Sequence, residues 1–162
     1  MWKVTYKIYI NHNFGGKNMK INHIALYTKN LEKSKEFYEK YFEAIPNKKY
    51  YNEKTGLQTY FLSFPGNEIR LEIMTRPELT GREDKVMNAG FIHIAFSVGS
   101  KEKVDILTKK IIKDGFECLS GPRTTGDGYY ESVIVDLDGN LVEITEWKCL
   151  FDDFYIIWYN FI

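Results

Sequence analysis

The chain contains an internal repeat, and this repeat restricts the possible folds more than any other feature of the sequence. The segment I-N-H-I-A-L around His23 is matched by F-I-H-I-A-F around His93, 70 positions later. The segment L-E-I around Glu72 is matched by V-E-I around Glu143, 71 positions later. Because two separate landmarks recur at nearly the same offset, the sequence predicts a tandem duplication in which each copy forms one structural unit.

Both copies of the repeat predict the same order of secondary structure. In the first module, residues 19–76, a strand is followed by an amphipathic helix with Asn30 as its N-cap and then by three short strands. In the second module, residues 91–147, a strand leads to a helix capped by Ser100, and three strands follow. The predicted fold is α+β, with two tandem β-α-β-β-β modules that form a curved mixed sheet around a cleft. Strands are expected near 20–28, 47–52, 57–64 and 68–75, and near 91–98, 116–120, 129–136 and 140–147.

The spacing of apolar residues assigns a buried face to each helix. Gly115 is placed where the second helix should end, because glycine readily adopts the left-handed conformation found there. Asp138-Gly139-Asn140 is typical of a hairpin turn between the last two strands. The buried helix faces are predicted to hold Leu31, Ser34, Phe37, Tyr38, Tyr41 and Phe42 in the first module, and Val104, Leu107, Ile111 and Ile112 in the second.

Three segments fall outside the two modules. Residues 77–90 are predicted to be a polar linker. Residues 1–18 form a leader of unknown role, for which an added strand, a disordered segment and an upstream start before Met19 are all open. Residues 148–162 are rich in Phe, Tyr, Ile and Trp, and such an apolar tail needs cover on its own core or on a partner chain.

Composition excludes several classes of partner. Lys plus Arg number 22 and Asp plus Glu number 22, so the charge balance indicates neither a nucleic acid nor an anionic membrane surface. No window holds the roughly 18 apolar residues of a membrane span, and the N-terminus lacks the apolar stretch of a secretory signal. The only two cysteines, Cys118 and Cys149, cannot form a zinc cluster and are expected to be reduced thiols in a cytoplasmic protein rather than a disulfide.

The alternation of side chains along a strand places four polar residues on equivalent faces. Successive residues of a strand point to opposite sides of the sheet. In the strand around His93, the large apolar residues share one side and should pack on a helix, while His93 points to the other side. The same alternation separates His23, Glu72 and Glu143 from their apolar neighbours. All four side chains are therefore expected on the sides of the sheets that face away from the helices.

Four such groups close together predict a metal site. A buried unpaired carboxylate costs several kcal/mol, and two nearby carboxylates repel each other, so a divalent cation would relieve both effects. Two imidazoles and two carboxylates suit Zn, Ni, Co, Mn or Fe(II), with the histidines neutral and the glutamates ionised. A single histidine on a strand is more often an ordinary core or surface residue. The occurrence of four groups at matching places in two repeats favours the metal, with a metal-free remnant site as the alternative.

The segment from Gly121 to Tyr130 is rich in glycine and precedes an inner strand. It is interpreted either as a mobile lid over the site or as an ordinary hairpin loop, and the sequence does not decide between the two. As a lid, it would carry Arg123 toward an anionic group of a substrate and Tyr129 for stacking.

Two further positions are candidates for binding substrate. Arg70 lies two residues before Glu72 and on the same face of the strand, where it could pair with Glu72 or bind a substrate carboxylate. Tyr60 and Phe64 could line the cavity, but they are equally consistent with a plain hydrophobic core.

These residues are where the chain resembles a known family. The opening I-N-H-I-A-L, the L-E-I of the first module, F-I-H-I-A-F, and D-L-D-G-N-L-V-E-I near the end are similar to motifs of the vicinal oxygen chelate superfamily. That superfamily includes glyoxalase I, methylmalonyl-CoA epimerase, extradiol dioxygenases, fosfomycin-resistance enzymes and bleomycin-binding proteins. The resemblance covers about residues 19–147.

The resemblance implies a set of metal ligands. Glyoxalase I holds its metal with His or Gln, Glu, His and Glu, and this chain has His23, Glu72, His93 and Glu143 at those four places. The epimerases typically have Gln at the second place, and the extradiol dioxygenases use two histidines and one carboxylate. The fosfomycin-resistance thiol transferases usually use three ligands. The full set of four therefore points most strongly to glyoxalase I.

The resemblance also implies a reaction. A glyoxalase I-like lyase or isomerase converts the hemithioacetal of a 2-oxoaldehyde, a small substrate with adjacent oxygens, through an enediolate, with Glu143 as the base and Glu72 as its counterpart. One divalent ion is expected, with Ni²⁺ or Co²⁺ slightly preferred and Zn²⁺ also suitable. The partners implied are a small molecule, possibly a thiol conjugate, and a second copy of the chain, with the site inside one chain or shared between two. A drug-binding or resistance protein of the bleomycin or fosfomycin type is the alternative.

Overall fold

The computed structural model describes residues 20–81 and 90–147, and these residues form two β-α-β-β-β modules. The leader, the tail and most of the linker predicted from the sequence lie outside the described residues. The first module contains β1 (His23–Tyr27), α1 (Leu31–Phe42), β2 (Ile45–Pro46), β3 (Tyr50–Tyr51), β4 (Gln58–Ser63) and β5 (Arg70–Thr75). The second module contains β6 (His93–Ser97), α2 (Lys101–Lys113), β7 (Cys118–Thr124), β8 (Tyr130–Val135) and β9 (Leu141–Thr145).

Each module builds its own sheet. The strand order is β1-β5-β4-β2 in the first sheet, with the short β3 also paired to β4, and β6-β9-β8-β7 in the second. In both sheets the first strand of the module runs parallel to the last, and the other pairs are antiparallel. The α+β class and the tandem modules are confirmed. Two differences are that one chain has two separate sheets, not a single curved one, and that β2 and β3 replace the single strand expected at 47–52.

The predicted caps begin both helices. The side chain of Asn30 accepts a hydrogen bond from the backbone N–H of Lys33, and Ser100 accepts one from Lys103. Gly115 follows α2 with φ of 93°, the left-handed conformation that was expected of it. Among the described residues neither helix is long and apolar enough to cross a membrane.

The buried faces of the helices follow the predicted pattern with one exception. All six residues predicted for α1 are buried, as are Val104 and Ile111 in α2. Ile112 is 47% exposed, and Thr108 is buried instead. The hydroxyl of Thr108 makes burial possible because it donates to the carbonyl of Val104 and contacts the hydroxyl of Ser132 at 2.6 Å. Sequence periodicity misses this position because Thr is polar.

The two modules share one hydrophobic core, in which α1 packs against both sheets. Phe42 of α1 stacks on Phe96 of β6, with ring centroids 4.2 Å apart, and Phe64 meets the same ring at 5.1 Å. Phe37 of α1 contacts Phe116, just before β7, at 5.0 Å. The helix-facing sides of both sheets therefore point toward each other, across the helices. Their opposite sides face outward, in different directions.

Polar contacts also fix the two modules to each other. The hydroxyl of Tyr41 lies 2.6 Å from the carboxylate of Asp114, which also pairs with Lys40 at 2.9 Å. At the other end of α1, the backbone N–H of Lys29 donates to Asp138 in the β8–β9 turn at 2.9 Å. These contacts join residues that are far apart in the sequence, so they set the relative orientation of the modules together with the shared core.

Candidate metal centre

The first candidate pair of ligands is His23 on β1 and Glu72 on β5. The two strands run side by side in parallel, with His23 opposite Arg70 and Ala25 opposite Glu72, so that both side chains emerge on the outward face. Nε2 of His23 lies 3.6 Å from Oε2 of Glu72. The His23 side chain is 39% exposed and that of Glu72 is 15% exposed. The pair therefore sits at the surface, with its carboxylate largely shielded.

The second pair, His93 on β6 and Glu143 on β9, repeats this geometry. His93 lies opposite Leu141 and Ala95 lies opposite Glu143, which is the same register as in the first module. Nε2 of His93 lies 3.5 Å from Oε2 of Glu143, and their side chains are 37% and 14% exposed. The duplication thus reproduces the two-residue arrangement almost unchanged.

The two pairs do not meet in one chain. Within residues 20–81 and 90–147 no group of three or more His, Cys, Asp or Glu side chains is arranged to hold a metal ion. The reason is the packing of the modules, because the helices lie between the two sheets and the outward faces carry the His–Glu pairs. The sequence correctly predicted which face carries these residues. The cleft that would enclose all four is not formed by one chain.

The separation within each pair suits a shared cation. Metal bonds to imidazole nitrogen and carboxylate oxygen in zinc sites are about 2.0–2.2 Å long. Two such ligand atoms 3.5–3.6 Å apart, as found in both pairs, can both reach one ion without clashing. Each pair thus fits half of a metal-binding site.

Around the first pair, Glu72 is held by a hydrogen bond. The hydroxyl of Thr59 on β4 donates to Oε1 of Glu72 at 3.0 Å, which leaves Oε2 directed at His23. Phe61, directly opposite Glu72 on β4, packs edge-on against the His23 ring, with centroids 5.2 Å apart. The imidazole and the carboxylate of this pair are thus both restrained by neighbours on the same face.

The second pair has a carboxylate neighbour where the first pair has the hydroxyl of Thr59. The register places Glu131 of β8 where Thr59 stands in the first module. Burial raises the pKa of the Glu143 carboxyl, the nearby Glu131 carboxylate raises this pKa further, and His93 lowers it. Arg123 pairs with Glu131 at 3.3 Å. The two glutamates of the pairs, Glu72 and Glu143, therefore lie in chemically different surroundings.

Two of the residues that the sequence suggested for the substrate cavity, Tyr60 and Phe64, do not lie on the face of the sheet that carries the His–Glu pair. Tyr60 does not face the site: it lies opposite Ile73 on the helix side of the sheet, and its hydroxyl donates to Glu32 at 3.2 Å. Strand alternation explains this correction, because Tyr60 neighbours Phe61, which lies opposite Glu72. Phe64 also belongs to the core, where it contacts Phe96.

Arg70 lies on the outward face beside the first pair but does not form an ion pair with Glu72. One of its terminal nitrogens donates to Asn22 at 2.6 Å, and its guanidinium lies over the ring of Phe61 at 4.5 Å. Among the described residues no carboxylate lies within ion-pairing distance of Arg70. Its charge is therefore available to an anion.

The segment predicted as a lid or a hairpin loop is largely strand. Residues 121–124, with Arg123, belong to β7, and only 125–129 form the turn to β8. Within that turn Tyr129 exchanges hydrogen bonds with Thr125 through its backbone. The structure thus favours the hairpin over the lid, and it places Arg123 beside Glu131.

Four residues that lie near the His–Glu pairs were not identified from the sequence. Thr59, Phe61 and Glu131 could be found only from the strand register, which decides which residue of one strand lies opposite a ligand on the next. Asn22 carried a local signal, because it directly precedes His23, and polar residues beside a metal-binding histidine commonly orient its ring.

Comparison with known proteins supports the fold. A family model described as "Glyoxalase/Bleomycin resistance protein/Dioxygenase superfamily" matches residues 20–144. The uncharacterized protein YqjT of Bacillus subtilis is 29% identical over 133 residues, which is 80% of this chain and all of that protein.

Solved structures show the same architecture at low sequence identity. The fosfomycin resistance protein FosX from Listeria monocytogenes, crystallised with Mn(II) and sulfate, has a TM-score of 0.64 at 22% identity, covering 85% of this chain and 99% of its own. The trypanothione-dependent glyoxalase I of Leishmania major has a TM-score of 0.67 at 18% identity, covering 88% and 97%. A glyoxalase family protein from Enterococcus faecalis has a TM-score of 0.65 at 22% identity, covering 78% and 97%.

Proposed function

Since the chain belongs to the glyoxalase/bleomycin resistance protein/dioxygenase superfamily, we propose that it is a metal-dependent lyase or isomerase of the glyoxalase I type. The observation that carries this proposal is the presence of two equivalent His–Glu pairs with nitrogen–oxygen distances of 3.6 and 3.5 Å. Two imidazoles and two carboxylates complete the ligand set of glyoxalase I. Three-ligand relatives would not need both glutamates.

The proposed metal centre is shared between two copies of the chain. His23 and Glu72 of one copy would hold the ion together with His93 and Glu143 of the other, so that a symmetric dimer has two equal sites. The support is the back-to-back packing of the modules, which directs the two pairs of one chain to different sides. A second copy is the simplest source of the missing ligands.

The edges of the two sheets support this arrangement. β1 and β6 carry the histidines, and among the described residues each is an edge strand with a neighbour on one side only. Exposed apolar side chains precede both strands, with Ile21 at 64%, Phe91 at 93% and Ile92 at 58% exposure. Exposed strand edges with apolar residues are sites where chains associate. Pairing β1 of one copy beside β6 of the other would cover both edges and bring the His–Glu pairs together.

Within such a site the side chains of the protein have distinct roles. A bound divalent ion would supply Lewis-acid polarisation of a substrate carbonyl. Glu143 is the proposed base that moves a proton between neighbouring carbons of the substrate, because burial and Glu131 raise its pKa and so strengthen it as a proton acceptor. Glu72, with one oxygen fixed by Thr59, is the better placed to remain a ligand.

The proposed substrate is a small molecule with adjacent oxygens, such as the hemithioacetal of a 2-oxoaldehyde with a thiol, which would isomerise through an enediolate. Arg70 has no carboxylate partner among the described residues and lies on the same face as Glu72, so it is suited to a carboxylate of the thiol portion. Arg123 is less suited to this role because Glu131 already pairs with it.

Metal content tests the proposal directly. The protein purified without chelator is expected to hold one divalent ion per chain, as measured by elemental analysis. The His23→Ala variant should bind that ion at least roughly 100-fold more weakly, because loss of a direct ligand should exceed the 10–100-fold effect of removing a residue that merely orients one.

Tyr60→Phe is the matched control for this experiment. Tyr60 lies on β4 of the same sheet but on the helix side, so its variant should keep the metal. Turnover of methylglyoxal with glutathione or another thiol, compared with fosfomycin and a thiol, would then separate the reaction types. A wild-type protein that neither contains nor binds a divalent ion would overturn the metal-dependent function.

A further inference from the structure

The two His–Glu pairs differ in the residues that lie near Nδ1 of the histidine. In the first module, Oδ1 of Asn22 is 2.9 Å from Nδ1 of His23 and 2.6 Å from a terminal nitrogen of Arg70. The corresponding positions of the second module are Ile92, which precedes His93, and Leu141, which lies opposite His93 in the sheet. Hydrocarbon side chains at these positions offer no hydrogen bond to an imidazole.

The chemistry of Arg70 fixes the direction of both hydrogen bonds. A guanidinium can only donate, so the Asn22 atom that it contacts must be the carbonyl oxygen. The same oxygen faces Nδ1 of His23, and because an oxygen cannot donate, Nδ1 must carry the proton. A neutral imidazole has one N–H, so Nε2 is left with its lone pair free.

The contact of His23 with Glu72 does not reverse this assignment. The distance from Nε2 to the carboxylate is 3.6 Å, which is longer than a hydrogen bond, whereas the contact to Asn22 is 2.9 Å. Arg70 itself is held in place over Phe61 at 4.5 Å. The amide of Asn22 is thus prevented from turning its NH₂ group toward the histidine.

We propose that Asn22 is a positioning residue that holds His23 with its proton on Nδ1 and its lone pair on Nε2, and that Arg70 fixes the amide of Asn22 for this purpose. The first module thereby presents a histidine that is already in the form that binds a metal. Among the described residues of the second module, Ile92 and Leu141 at the matching positions offer His93 no such hydrogen bond. The consequence for metal affinity rests on the proposed function, but the position of the ring proton does not.

The ring proton can be located without any metal. Long-range proton–nitrogen NMR correlation of the metal-free protein, at one fixed alkaline pH where imidazole is neutral, should show a protonated Nδ1 and an unprotonated Nε2 for His23. In Asn22→Leu, which keeps the size but cannot accept, the proton should move to Nε2, the nitrogen that faces Glu72. Asn22→Asp keeps an acceptor and should retain the wild-type pattern.

Two further variants act as controls for this measurement. Arg70→Met keeps a long side chain on Phe61 but frees the Asn22 amide, so the His23 ring should show a mixture of the two tautomers. Ile106→Leu alters an exposed residue of α2 and should leave the His23 spectrum unchanged. An unchanged His23 tautomer in Asn22→Leu, or an Nε2 proton in the wild-type protein, would overturn the proposal.

Metal affinity gives a second readout, with zinc as the probe. Competition against a chromophoric chelator should show zinc binding weakened about 10–100-fold in Asn22→Leu and nearly unchanged in Asn22→Asp. The NMR measurement and the zinc competition can fail independently of each other. If the wild-type protein binds neither zinc nor any other divalent ion, the proposed function is overturned while the ring proton still tests Asn22. If zinc binds equally to the wild-type protein and Asn22→Leu, the role of Asn22 is overturned and the metal site remains.

Discussion

Mixing a His23→Ala chain with a His93→Ala chain should restore about one quarter of the wild-type metal sites and turnover, although each variant alone should bind the ion at least roughly 100-fold more weakly. In the shared arrangement every site takes its first pair from one copy and its second pair from the other. A mixed dimer therefore has one site with both substitutions and one site with neither. Half of the dimers in an equal mixture are mixed, and half of the sites in each mixed dimer are intact.

The control for this experiment uses two substitutions in the same pair. His23→Ala mixed with Glu72→Gln should restore nothing, because every site then contains a damaged first pair. The chains should be refolded together or co-expressed so that subunits exchange, and the dimer should be verified by light scattering. If the His23→Ala and His93→Ala mixture stays inactive while dimers form, the site is not shared between copies in the way proposed.

Glu143→Gln should reduce turnover and the exchange of the substrate proton with solvent by roughly 10²–10⁴-fold, the usual contribution of a general base. Glutamine has nearly the shape of glutamate and keeps an oxygen that can face a metal, but it cannot accept the proton. The circular dichroism spectrum and the melting temperature should stay close to those of the wild-type protein, because Glu143 lies on the outward face and not in the core.

Glu117→Gln is the matched control for this variant. It makes the same chemical change on an exposed residue just before β7, so it should leave turnover within about twofold of wild type, as expected for a surface substitution. Elemental analysis of Glu143→Gln separates loss of the base from loss of the metal. Wild-type turnover in a metal-loaded Glu143→Gln protein would remove Glu143 from the role of base.

Local features of the sequence were enough to predict the modules. Asn30 and Ser100 mark helix starts because their short side chains accept hydrogen bonds from free backbone N–H groups, and both do so in the structure. The outward direction of the His23–Glu72 and His93–Glu143 pairs also follows from local alternation. These inferences required only a residue and its neighbours in the chain.

What the sequence did not reveal depends on contacts between distant segments. Tyr60 and Phe61 are adjacent aromatic residues, and only the register of β4 against β5 determines that Phe61 faces Glu72. The stacking of Phe42 on Phe96 places the sheets back to back, and no local pattern predicts which modules of which chain share a core. For the same reason the sequence left open whether one chain or two would complete the site.

The difference between Thr59 and Glu131, at matching places in the two sheets, has a consequence for how such a protein can specialise. A single unduplicated module that paired with itself would put two identical halves in every catalytic centre, and any change would alter both. In the proposed shared arrangement, two modules on one chain would give each centre one half of each kind. One carboxylate could then be anchored by a hydroxyl while burial and a neighbouring acid raise the pKa of the other, so that anchoring and proton transfer would be assigned to separate halves.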